Sequence, residues 1–361
     1  MPATRDGFRW PIETGDDPGT LFNGPWPERH IGRGEYRGLE FLHVNARTII
    51  NSVPASSRMS FRYTINAYRG CSHACTYCFA RPTHEFLGLG MGEDFERLIV
   101  VKVNAVERAR AEVLSPRWRG ELIAMGTNTD PYQHAEGKYH LTRGIVGVLS
   151  AQRNPFSILT KSTLVLRDLD LLTEAARRTS VRVNLSVGTL DREVWRLTEP
   201  GTPPPDKRLE AVRRLNEAGV PCGVLVAPVL PGLSDADEQV TAVVEACRDA
   251  HAAGVSTVGL HLRPGVREHY LTWLAAVRPD LMGLYEKRFH HGAYQPRREQ
   301  ERLSALVARV IGKGPAQGGS NREDQSDGGP TRERGTKQPA QLALFQPVTS
   351  GPEALSSGPD G

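Results

Sequence analysis

Three cysteines stand close together in the segment Tyr68-Arg69-Gly70-Cys71-Ser72-His73-Ala74-Cys75-Thr76-Tyr77-Cys78-Phe79-Ala80, spaced as Cys, three residues, Cys, two residues, Cys. Thiolates are ligands for soft metals, and three of them on one tight loop can hold three irons of a cubane iron–sulfur cluster. No fourth cysteine lies nearby, since the next are Cys222 and Cys247. One iron of a [4Fe–4S] cluster would then lack a protein ligand, and an open iron is a place where a small molecule can chelate. The competing reading is a zinc-stabilised binding module in which the same cysteines and His73 or His84 hold one zinc ion. Structural zinc loops usually come as paired Cys-x2-Cys knuckles, and no second knuckle exists here. The cluster is therefore the expected occupant, and His73 and His84 are read as loop residues making hydrogen bonds. Five cysteines in all, three of them packed together, make a poor disulfide framework. Cys247 shares a helical stripe with Val240, Val243 and Val244, and Cys222 opens an apolar run, so both are expected as small buried hydrophobes.

A loop of this kind needs a scaffold. Short apolar or β-branched runs occur at Tyr63–Ala67, Leu122–Met125, Phe156–Thr160, Val181–Val187, Gly223–Ala227 and Thr257–Leu262. Helical periodicity separates several of them, over Leu141–Gln152, Val165–Arg178, Asp206–Ala218 and Asp235–Ala253. Strands alternating with helices imply βαβ units and a parallel sheet. Six such units are too few to close an eight-stranded barrel, so the expected fold is α/β, a (β/α)6 partial TIM barrel with its functional groups on loops after the strands. Residues 1–58 read as an irregular N-terminal extension with one strand at Leu39 to Val44. Residues 59–312 read as the core, closed by helices from Arg267 to Gly312. Residues 313–361, rich in Gly, Ser, Pro and Gln, read as a disordered tail.

Composition narrows the class. Hydrophobic residues at 39% and charged residues at 24% fit a globular protein, and no apolar run is long enough to span a bilayer. Met1 to Asp16 has no apolar core of a secretion signal, which makes the cytoplasm the expected compartment. A net charge of +4 is compatible with a nucleic-acid partner without arguing for one.

The cysteine spacing after the first core strand, with Tyr77 just before the third cysteine, resembles the signature of the radical S-adenosylmethionine (SAM) superfamily. That resemblance implies a [4Fe–4S] cluster on Cys71, Cys75 and Cys78, SAM chelated to the open iron through its amino and carboxylate groups, and an external reductase. It also implies reductive cleavage of SAM to methionine and a 5′-deoxyadenosyl radical that abstracts a hydrogen atom. Longer stretches are similar to the branch that includes spore photoproduct lyase and its DNA-repair-photolyase-like relatives: Ile65-Asn66-Ala67-Tyr68-Arg69-Gly70, Ala80-Arg81-Pro82-Thr83-His84-Glu85, Gly126-Thr127-Asn128-Thr129-Asp130-Pro131-Tyr132-Gln133, Leu159-Thr160-Lys161-Ser162, Glu199-Pro200-Gly201-Thr202-Pro203 and Ala227-Pro228-Val229-Leu230-Pro231-Gly232. The resemblance covers roughly residues 40 to 300. It implies cofactor contacts at Tyr77, Thr129, Lys161 and Ser186, with Lys161 pairing with the SAM carboxylate. Asp130 and Glu199 are further polar candidates without a role. A strand-end lysine is ordinarily solvated, and a strand-end Ser or Thr ordinarily caps a turn, so each assignment needs a partner to support it.

Two positions depart from the lyase. It uses a thiol as hydrogen-atom donor in the segment after its second strand, where this chain has Thr127 and no cysteine. It has a tyrosine directly after the third cluster cysteine, where this chain has Phe79. The resemblance thus implies a nucleic-acid substrate, in DNA repair or modification, while the departures argue against repair of spore photoproduct itself. The alternative substrate is a peptide or small molecule. The further cluster-binding cysteines near the C-terminus that would favour peptide modification are lacking. In the tail, Gln341-Leu342-Ala343-Leu344-Phe345 resembles the pentapeptide by which bacterial polymerases and repair proteins bind the DNA sliding clamp, with Gln341, Leu342, Leu344 and Phe345 as the contacts.

Overall fold

The structure, a computed structural model, describes residues 22–312 apart from 55, 56 and 58. The clamp-like pentapeptide Gln341 to Phe345 lies outside the described residues. Strands occur in chain order as β1 (Phe22–Ile31), β2 (Glu40–Ala46), β3 (Ile50–Ser52), β4 (Tyr63–Ile65), β5 (Tyr68–Arg69) and β6 (Leu98–Lys102). They continue as β7 (Ile123–Met125), β8 (Phe156–Thr160), β9 (Val181–Ser186), β10 (Cys222–Val229) and β11 (Val255–Gly259).

The main sheet has the order β11-β10-β9-β8-β7-β4-β3. Its six strands from β4 to β11 are mutually parallel, and β3 is an antiparallel edge. This is the (β/α)6 partial barrel. The reason is visible in β10, where every residue but Pro228 is buried. A parallel strand covered on both faces is an apolar run rather than an alternation. On one face Ile158, Val183, Val224 and Val226 pack with helix residues Leu149, Leu172, Val212 and Val244. Cys222 and Cys247 are fully buried in that same cluster, as expected. On the other face Ala124, Leu225, Ala227 and Val258 form a smaller group.

The N-terminal segment differs from expectation. Its one anticipated strand is β2, but β1 and β3 flank it, and β1, β2, β6 and β5 make a second sheet of four strands. β1 was not legible because it is an edge strand with Pro25 and Pro27, charged residues and a register break between Asn23 and Glu28, which together erase the period-two signal. β6 lay hidden between the cysteine loop and the next barrel strand. It runs parallel to β2 and antiparallel to β5, the two-residue strand that leads into Cys71. The second sheet thus fixes the base of the cysteine loop.

Gly126 ends β7 with φ +96°, and a Cβ there would meet the Leu159 carbonyl oxygen at 2.0 Å. Gly126→Ala should therefore destabilise the apoprotein by about 2–5 kcal/mol, since strained backbone and overpacking act together. An unchanged urea midpoint would show that β7 and β8 do not approach as described.

Candidate functional site

The cysteine loop begins at Gly70, whose φ of +78° and close approach to the Phe95 and Leu98 carbonyls, each 2.9 Å from a hypothetical Cβ, exclude a side chain. Cys71 N–H donates to the Phe95 carbonyl at 2.8 Å. Two successive turns follow, with Ala74 N–H donating to Cys71 O and Cys78 N–H to Cys75 O, both at 3.2 Å. Arg81, with no exposed surface, braces the centre of the loop. Its Nε and Nη2 donate to Cys75 O at 3.1 and 2.9 Å, Nη1 to Met91 O at 2.9 Å, and Nη2 to Glu96 Oε1 at 2.5 Å. From the far side, Thr76 N–H donates to Thr198 O at 3.0 Å and Gly201 N–H to His73 O at 3.1 Å. Gln133 accepts from Ser72 N–H at 3.1 Å and donates to Gly70 O at 2.9 Å.

Cys71 and Cys75 are buried and Cys78 is half-buried, all as free thiols. Burial pushes all three thiols up, Cys75 to about 12 and Cys71 well above its ordinary value, with Asp130 and the other two thiols adding to the effect at Cys71. Three thiolates here therefore need a strong positive counter-charge, which metal ions supply. Zinc bonded at about 2.0–2.3 Å to each ligand would draw the ligand atoms within about 4 Å of one another. Among the described residues, only Glu28, His30 and His43 form a His, Cys, Asp or Glu set whose ligand atoms lie within 4.8 Å of one another. The three thiols do not converge on one ion's shell, with or without a histidine. Both histidines are engaged elsewhere, His84 Nε2 at 3.0 Å from Leu98 O and His73 Nδ1 at 3.3 Å from Asp130 Oδ2.

Beside the loop, three of the four expected SAM contacts meet around one buried carboxylate. Lys161, just after β8, donates from Nζ to Ser186 Oγ at 2.8 Å, lies 3.8 Å from Glu199 Oε1 and sits 5.7 Å over the Tyr77 ring. Ser186, at the end of β9, donates to Ala227 O at 2.7 Å. The Tyr77 hydroxyl and the Arg208 guanidinium both donate to Glu199. Arg208 also donates to Ser186 O at 2.8 Å and to Thr202 Oγ at 2.5 Å. Burial alone would raise the Glu199 carboxyl, but Arg208, Lys161 and Tyr77 outweigh it and hold the group below its ordinary value. Asp130 behaves alike: burial opposes ionisation, and His73, the Thr160 hydroxyl and Lys161 N–H more than offset it. Its Oδ1 accepts from Thr160 Oγ at 2.6 Å and its Oδ2 from Lys161 N–H at 2.7 Å.

The fourth expected contact, Thr129, stands apart. Its hydroxyl donates to Gly70 O at 2.6 Å and accepts from Gln133 Nε2 at 2.8 Å, so it supports the base of the loop. Thr127 lies at the strand end beside Asn66, whose Nδ2 is 3.3 Å from its hydroxyl oxygen. Phe79 is exposed. Sequence reasoning passed over Arg81, Gln133 and Arg208. For Arg208 a signal existed: it shares the buried stripe of helix Pro205–Glu217 with Ala211, Val212 and Leu215, and an arginine on an apolar stripe needs a buried partner.

Comparison with known proteins agrees with this geometry. A family model described as the radical SAM superfamily matches residues 65–243. An uncharacterized protein of Mycobacterium tuberculosis is 44% identical over 303 residues, which is 84% of this chain and 88% of that protein. An uncharacterized protein of Methanocaldococcus jannaschii is 30% identical over 201 residues, covering 55% of this chain and 71% of its own length. Among solved structures, spore photoproduct lyase complexed with dinucleoside spore photoproduct aligns with a TM-score of 0.57 at 19% identity, over 75% of this chain and 78% of that one. The chain belongs to the radical SAM superfamily. Its fold is shared with spore photoproduct lyase.

Because Glu199 and Asp130 carry lowered carboxyl values in the folded protein, they contribute stability above the ordinary carboxylate range that is lost as pH falls through their folded values. Arg208→Met removes the foremost influence holding Glu199 ionised. At neutral pH the variant should lose about 3–5 kcal/mol, the cost of breaking a buried pair. The deficit should shrink as pH falls and Glu199 takes up a proton. Denaturant midpoints of both apoproteins at pH 7 and pH 4.5 measure this, and an equal deficit at both would contradict the assignment.

Proposed function

We propose that this radical SAM enzyme carries a [4Fe–4S] cluster on Cys71, Cys75 and Cys78, binds SAM at the iron without a protein ligand, and acts on a nucleic acid. The observation that carries the reading is the braced loop of three free cysteines, two buried and one half-buried, that do not converge on one ion, with a lysine and a hydroxyl beside it. Bound together, the cluster and SAM would supply reductive cleavage of the sulfonium and a 5′-deoxyadenosyl radical. The chain's own residues then have definite tasks. Arg81 and Gln133 hold the loop so that the thiolates keep their spacing. Lys161 offers its ammonium, and Ser186 its hydroxyl, to the cofactor's carboxylate and ribose side. Glu199 stands beside Lys161 and, through Tyr77, ties it to the loop. The surrounding apolar packing excludes water from a reactive radical.

Fold likeness to a lyase that binds a dinucleoside lesion supports a nucleic-acid substrate. So do Phe79 and Phe86, exposed aromatic rings just after the cluster loop on which a base could stack. Thr127 and Phe79 offer neither thiol nor phenol for returning a hydrogen atom, which supports a reaction other than spore photoproduct repair. The same reading calls for an external low-potential reductase and a cytoplasmic setting. It gives the pentapeptide Gln341 to Phe345 the role of a tether to the sliding clamp. Among the described residues no helix is long and apolar enough to cross a membrane.

Anaerobically reconstituted protein with dithionite should convert SAM to 5′-deoxyadenosine and methionine, and Cys71→Ala, Cys75→Ala and Cys78→Ala should each abolish this. Lys161→Ala should weaken SAM binding by about tenfold or more, the loss expected for a charge-assisted contact. Full SAM cleavage by the triple Cys→Ala variant would refute the reading, and protein isolated with zinc but no iron or sulfide would favour the binding module. Multiple-turnover thymine release from spore photoproduct would show that the two departures were misjudged. Full-length protein should be retained by a bacterial sliding clamp and lost from it when Leu344 and Phe345 are both replaced by Ala; equal retention of both proteins would refute the tether.

A further inference from the structure

The second sheet holds a set of metal-ligating side chains unrelated to the cysteine loop. Glu28 and His30 are two apart on β1 and so share one face of the sheet. In register, Glu28 lies opposite His43 of β2, which places all three side chains together. Their ligand atoms lie within 4.8 Å of one another. His30 Nε2 is 3.1 Å from Glu28 Oε1, and the His30 and His43 ring centroids are 3.9 Å apart at 30°. His30 Nε2 is buried and makes no hydrogen bond to any described residue. A buried imidazole nitrogen facing a carboxylate without bonding it is the arrangement a small cation would complete.

We propose that Glu28, His30 and His43 bind one divalent transition-metal ion of the zinc class, joining edge strand β1 to β2. Two imidazoles and a carboxylate are a hard-to-borderline donor set suited to zinc, unlike the all-thiolate set of the cysteine loop. Ligand atoms within 4.8 Å of one another stand near the roughly 3.3 Å separation of ligands around zinc. Tyr139 Oη sits 2.7 Å from His43 Nε2 and orients the ring, the outer-shell contact that metal-binding histidines commonly make. Three protein ligands leave a fourth position for water. The ion would add a tie between β2 and an edge strand that carries two prolines and a register break.

The test uses full-length protein with its iron–sulfur site reconstituted, dialysed against micromolar free zinc, with iron and zinc measured per chain. The expected result is one zinc in addition to the iron. His30→Ala and His43→Ala should each weaken zinc binding by at least about tenfold, with iron content and SAM cleavage unchanged. Glu28→Gln, at an exposed position that cannot unfold the protein, should also weaken it. Absence of bound zinc in the parent protein, or equal zinc in the parent and the His30→Ala/His43→Ala double variant, would overturn the proposal.

Discussion

The Glu199 carboxylate is withdrawn from water, and a buried charge persists only if other groups converge on it. Here the convergence is what assembles the site. Arg208 comes from the helix after the Pro203-Pro204-Pro205 turn, Lys161 from the end of β8 and Tyr77 from the cysteine loop. Ser186 joins through both Lys161 and Arg208. Four segments that are far apart in sequence are thus registered on one anion. The same carboxylate makes the site electrostatically coherent: it offsets the two cations, so neither repels the other into solvent.

A second buried carboxylate, Asp130, does equivalent work one strand over, joining the loop after β7 to His73 of the cysteine loop and to the start of the loop after β8. Between them the two acids clamp the cysteine loop on opposite sides, while Arg81 fills its centre. The thiols are consequently held in place before any metal arrives, although burial opposes their ionisation. On the proposed reading, metal binding would resolve that tension and couple cluster assembly to proton release. The second sheet contributes by fixing β5, and so the conformation of Gly70 from which the loop departs.

Much of this was legible in the sequence for physical reasons. The barrel strands stand out because two-sided burial leaves unbroken apolar runs, and β8 was bounded correctly to the residue. The cysteine loop is legible because ligand chemistry demands particular residue types at particular spacings. Lys161 and Ser186, at strand ends, were marked by the family resemblance, and the structure brings them into contact. Glu199 was noticed without a role because its meaning lies in partners remote in sequence. Arg81 was missed because its partners are backbone carbonyls and a carboxylate that no local pattern reveals, whereas Arg208 was missed although its place on an apolar stripe calls for a buried partner. β1 was missed because prolines and charges on an edge strand obscure its alternation, and β6 because one short apolar run between loops has no period to measure. Thr129 lies near the loop, where its hydroxyl donates to the Gly70 carbonyl, a partner remote in sequence that its position does not reveal.

We propose that three thiolates hold a four-iron cluster whose remaining iron is open to SAM. Mössbauer spectroscopy of protein reconstituted with iron-57, recorded with and without SAM, addresses it directly. One iron in four should change its isomer shift on SAM addition while the other three stay as they were. Four irons that remain indistinguishable and indifferent to SAM, or a spectrum without cubane signals, would contradict it.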